Sequence, residues 1–118
     1  MMKNIILIPL IIISVLLIPY NKLYPLTQDE ETFLDAAIFG DEDVIEKIIA
    51  KNINVNVQDD VGNTALILAC MEGHVKVVEL LIKANADKSI VNKHGNDALF
   101  YAKQKNYNDI IKLMEQNI

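Results

Sequence analysis

The apolar positions between Phe33 and Met114 fall into columns spaced 33 residues apart. Phe33, Leu66 and Leu99 share one column, and Ala36, Ala69 and Ala102 share another. Val44, Val77 and Ile110 align, as do Ile45, Val78 and Ile111, and then Ile48, Leu81 and Met114. The four glycines obey the same period, Gly40 with Gly73 and Gly62 with Gly95, with none left over. Agreement over this many columns marks an internal repeat, with units at 30–62, 63–95 and a partial 96–118.

Within a unit the spacing predicts two short helices and an extended finger. In the middle unit Thr64 caps a first helix that runs to about Glu72, with Leu66, Ala69 and Cys70 on one face. Gly73-His74 ends it, and Val75 to Ala84 starts a second helix carrying Val77, Val78, Leu80, Leu81 and Ile82. Asn52 and Asn85 stand where the second helices stop, and asparagine tolerates the left-handed conformation that such an end prefers. Ser89 to Asn96 reads as extended, with His94-Gly95 suited to a tight turn. Thr27-Gln28-Asp29-Glu30 has the form of a capping box, which starts the folded part at Thr27.

The chain before Thr27 follows a different pattern. From Ile5 to Tyr20 it reads IILIPLIIISVLLIPY, with Ser14 the single polar side chain before Tyr20. A lysine ahead of a short apolar run is the layout of an export signal, and the run is shorter than the ~20 residues of a membrane-spanning helix. Pro9 and Pro19 favour a signal core over a stable span, yet no small-x-small cleavage site follows. Residues 1–20 are therefore expected to be a signal peptide or a retained anchor, forming an apolar N-terminal helix with the repeat domain outside the cytoplasm. Residues 21–26 read as a linker and 27–118 as the domain. This leader also explains a hydrophobic fraction of 52% in a chain whose remainder is amphipathic.

Charge narrows the function. The chain has a net charge of −5, and unit 30–62 alone holds nine acids against two lysines. Arginine is absent throughout, so there is no basic stripe of the kind nucleic-acid binding needs. One cysteine permits no internal disulfide. Cys70, His74 and His94 are the soft ligands and nucleophiles available, too few to ligate a structural zinc by themselves. No nucleophile elbow, phosphate loop or His-Glu-x-x-His motif occurs. No cofactor, metal or catalytic activity is expected.

A 33-residue unit of helix, turn, helix and finger resembles the ankyrin repeat. The middle unit carries the likeness. Gly62-Asn63-Thr64-Ala65-Leu66-Ile67-Leu68-Ala69 is similar to the family's G-x-T-P-L-H-x-A. Gly73-His74-Val75-Lys76-Val77-Val78-Glu79-Leu80-Leu81-Ile82 is close to its G-H-x-x-V-V-x-L-L-L. Ala84-Asn85-Ala86-Asp87 parallels A-G-A-D, and the third unit repeats the pattern more loosely. Ala65 and Ala98 stand at the usual proline, and Ile67 and Phe100 at the motif histidine. Losing that histidine's hydrogen bonds should leave the turns held more by packing. His74 falls where the family has a structural histidine.

The resemblance implies an all-α ankyrin-repeat solenoid with short extended fingers, acting as a protein–protein interaction module. A self-associating structural protein, or a remnant of a longer ankyrin protein, is the alternative. If the family's mode carries over, an unidentified protein partner docks on finger tips Asp59, Asp60, Val61, Asn92, Lys93 and His94. Behind them stand Leu68, Met71, Glu72 and Tyr101, with Leu68 and Met71 expected to be partly exposed.

Overall fold

A computed structural model describes residues 24–116. The expected leader, the first half of the linker and the final two residues lie outside that range. Six α-helices occupy the described chain, and it contains no β-strand. They are α1 (Gln28–Phe39), α2 (Glu42–Ile49), α3 (Ala65–Glu72), α4 (Val75–Lys83), α5 (Ala98–Gln104) and α6 (Asn108–Glu115). Each consecutive pair is one unit. The first helices α1, α3 and α5 pack side by side in one layer, and α2, α4 and α6 form a second layer behind them.

The helix starts are set by local side chains. The Thr27 capping box is complete. Glu30 N–H donates to Thr27 Oγ1 at 3.2 Å, and Thr27 N–H donates to Glu30 Oε2 at 2.8 Å. Thr64 and Asp97 do the same work one and two units later, accepting from Ile67 N–H at 3.2 Å and Phe100 N–H at 2.9 Å. Each such cap is worth about 1 kcal/mol. The ends of the second helices are equally local: Asn52 and Asn85 both turn left-handed, at φ 61° and 63°. Asn106 is left-handed too (φ 59°), in the column that Gly40 and Gly73 fill earlier.

Alanine at Ala36, Ala69 and Ala102 is buried and keeps the first layer close. Phe33, Leu66 and Ile67 on that layer meet Ile45, Val77, Val78, Leu81 and Ile110 on the second to form one continuous core. Full burial of a side chain of this size contributes roughly 1.5–3 kcal/mol. The second helices are amphipathic, with Glu46, Lys47 and Lys76 turned to solvent. By contrast α3 buries every residue from Ala65 to Cys70, because α1 and α5 flank it while α4 lies behind.

Adjacent units also interlock at the turn between their helices. The His74 ring sits against Gly40, where an added Cβ would lie 2.6 Å from Nδ1, and its Nε2–H donates to Ile38 O at 2.8 Å. One unit on, the Tyr107 ring lies against Gly73 in the same way, 2.8 Å from a Cβ there. Glycine is required at both places by the left-handed backbone and by the approaching ring. His74 is thereby a structural residue, as expected.

Candidate functional site

The fingers lead from the second helices back to the first, and one column, Asp59 and Asn92, organises both. Asp59 Oδ1 accepts from Val61 N–H at 2.9 Å and Asn63 N–H at 2.8 Å. Thirty-three residues later, Asn92 Oδ1 accepts from His94 N–H at 3.0 Å and Asn96 N–H at 3.2 Å. A backbone bond closes each turn, Gly62 N–H to Asp59 O and Gly95 N–H to Asn92 O. The extended stretch is thus shorter than expected, since Asn92 to Gly95 is already turn. The two fingers are tied by Lys93 N–H donating to Val61 O at 2.9 Å.

Asn92 does more than Asp59 can, because an amide also donates. Its Nδ2 reaches Asn63 Oδ1 at 2.9 Å and Tyr101 Oη at 2.7 Å. The turns are therefore held by a side-chain hydrogen-bond network rather than chiefly by packing. That corrects the expectation drawn from the missing motif histidine. The sequence signal was present in the Asp59/Asn92 column, where a short acceptor recurs two residues before each tip.

The ten residues expected to meet a partner divide into two sets. Asp60, Val61, Lys93 and His94 are exposed at the tips, and Glu72 is exposed at the end of α3. Met71 and Tyr101 are half-buried. Asp59 is half-buried and committed to its turn. Asn92 is only 5% exposed and spends its polar atoms on the network. Leu68, expected to be partly exposed, is 7% exposed, enclosed with the rest of the middle first helix. These last two belong to the scaffold beneath the surface.

Sequence reasoning did not mark three surface features. Phe39, at the end of α1, is 77% exposed, and Val91 beside the second finger is 50% exposed. A groove of about 690 Å³ runs between residues 24–27 and the fingers, lined by Gln58, Asp59, Val91 and Lys93 among others. The period-33 alignment gives no sign of that groove, because linker residues such as Tyr24 and Pro25 belong to no column.

Titratable groups show little of catalytic character. Burial pushes the Cys70 thiol up to about 12, with the nearby Asp97 charge adding to it. Such a thiol is inert at neutral pH. The Asp87 carboxyl is lowered by hydrogen bonds from the Ser89 hydroxyl (2.6 Å) and backbone N–H (2.9 Å), an exposed turn motif. Among the described residues no cluster of three potential metal ligands occurs, and no helix is long and apolar enough to cross a membrane.

Comparison with known proteins places this architecture. The family model for ankyrin repeats, in three copies, matches residues 33–118. The human short transient receptor potential channel 3 is 43% identical over 53 residues, covering 43% of this chain and 6% of the channel. The crystal structure of the human ASB11 ankyrin repeat domain superposes with a TM-score of 0.66 at 27% identity, covering 70% of this chain and 37% of that one. The chain thus spans a small part of the curated relative and about a third of the solved domain. With the family's units, layers and fingers all in register, this chain belongs to the ankyrin repeat family.

Proposed function

We propose that this chain is an exported or membrane-tethered binding module that docks one protein partner across its finger tips and first helices. Ankyrin repeats are a protein-interaction fold, which supports the docking half of the reading. The observation that carries it is the contrast on one face. Val61, Lys93, His94 and Glu72 stand exposed, while Asp59, Asn92 and Tyr101 beneath them are locked by hydrogen bonds. A face fixed in advance loses little side-chain freedom on binding, which favours affinity. Catalysis has no comparable support, since the cysteine is buried and inert and His74 is engaged with Ile38.

The tether rests on the sequence of residues 5–20, an uncharged apolar run behind Lys3. Chemical crosslinking in the native cell, followed by identification of the attached proteins, tests both halves. A recurrent non-self partner from an extracytoplasmic compartment is the expected result. Recovery of the chain crosslinked to itself alone would replace this reading with self-association, and exclusively cytoplasmic partners would remove the export half.

A further inference from the structure

Phe39 is the most exposed large hydrophobic side chain of the described residues, at 77%. Its aligned positions in the next two units are Glu72 and Lys105, so the row across the first-helix ends runs from an aromatic through an acid to a base. The charged residues within four positions of Phe39, and its column mate Glu72, have one sign. Asp35, one turn back on the same face of α1, is exposed, as are Glu42 at the start of α2 and Glu72 at the end of the neighbouring α3. Asp41 lies between, its carboxylate capping α2 through Val44 N–H at 3.2 Å. No base sits in the last turn of α1 or of α3. Their negative dipole ends therefore lie side by side with no cationic side chain of either helix to offset them. The one imidazole nearby, His74, is turned inward to Ile38 O.

An exposed aromatic face in a negative field is a place for a cation. The ring quadrupole attracts a guanidinium or ammonium laid over it, and the surrounding carboxylates add Coulomb attraction and steering. We propose that the Phe39 end of α1 docks a basic segment of the protein partner, one arginine or lysine stacked on the Phe39 ring within reach of Asp35, Glu42 and Glu72. This rests on the interaction-module reading above and names the chemistry of the partner at one end of the face. The acidic excess of unit 30–62 then has a use besides solubility: it draws the basic segment to this end, away from Lys93 and Lys105.

The test titrates the full chain with a synthetic peptide alternating arginine and leucine, and with its counterpart carrying glutamate at every arginine. The arginine peptide should bind, and Phe39→Ala should weaken it about two- to five-fold, the range of an exposed cation–aromatic contact. The double variant Asp35→Asn/Glu72→Gln should weaken it about three- to ten-fold at low salt and hardly at all at high salt. The three positions are exposed, and a circular-dichroism melt checks that each variant keeps its fold. Equal binding of the glutamate peptide, or binding unchanged in both variants, overturns the proposal. So does a crosslinked cellular partner whose binding is lost on Lys93→Glu yet untouched by Phe39→Ala; that leaves the module reading intact. Should the peptide show the expected pattern while cells yield no partner, the cation site stands and the module reading falls.

Discussion

The middle and third units share one backbone plan and differ in what their columns carry. Ile67 is 1% exposed, whereas Phe100 in the same column is 44% exposed. Buried Cys70 becomes exposed Lys103, and Ile82 becomes exposed Glu115. Those two charged replacements meet as an ion pair at 3.3 Å. In the middle unit the first helix is buried from Ala65 through Cys70. In the third, α5 buries only Ala98 and Ala102. The periodic pattern dictates the fold of a unit, and its neighbours dictate which of its residues see water. Among the described residues, the side of the third unit that no further helix covers carries charge, in Lys103 and Glu115.

The comparison can be broken hardest in the core. Leu66→Ala should cost about 2–5 kcal/mol, because the cavity has enclosing walls that cannot collapse. Its column mate Leu99 is half-buried, so Leu99→Ala should cost about half as much. Equal losses in a denaturant titration would contradict the enclosed-versus-open distinction. Next comes the finger network. Asn92→Ala removes a turn acceptor, leaves Asn63 Oδ1 without its donor and leaves Tyr101 Oη only the longer bond from Asn96 Nδ2 at 3.4 Å, an expected loss of about 1–3 kcal/mol. Asp59→Asn keeps the acceptor of the first finger and should cost well under 1 kcal/mol.

Smaller effects sharpen the picture. Lys103→Met should change stability by less than about 0.5 kcal/mol, since both members of the Lys103–Glu115 pair are more than half exposed. Asp87 supplies a pH test. Its folded pKa lies below the ordinary carboxylate value, so its contribution is present at neutral pH and is lost as pH falls through the folded pKa. The gap in Tm between the native chain and Asp87→Asn should therefore shrink between about pH 6 and about pH 3. A gap that widens on acidification would have the wrong sign. Cys70, with its thiol pushed up to about 12 by burial, should react with a thiol reagent only at the rate at which the chain opens.

Local rules accounted for much of the fold in advance. Thr27, Thr64, Asn52 and Asn85 each act within four residues of their own position, and sequence patterns report such interactions directly. The lateral contacts were harder to read. Leu68 resembles an exposed apolar position until α1 and α5 are placed on either side of it. Asn92 looks like a tip residue until Asn63 and Tyr101, 29 and 9 residues away, are brought to its amide. Lys88 gives a third case. It takes the column of half-buried Val55, but its ammonium donates to Met114 O and Gln116 O at 3.2 and 3.3 Å, steadying the negative end of α6. Each contact crosses between units or, for Asn92 with Asn63, joins the two ends of one, and period alone says which residues align and not what they touch. The exposure of the tips Val61, Lys93 and His94 was legible in the sequence, and that of Phe39 was not.

The central claim is that one face of this stack, and not its back, meets a protein partner. Site-specific photo-crosslinking in the native cell tests it directly, with the photoreactive residue placed at His94 on a finger tip or at Lys47 on the solvent side of α2, both exposed. The account predicts a discrete crosslinked partner from position 94 and none from position 47. Crosslinks of equal yield from both positions, or from position 47 alone, would contradict it.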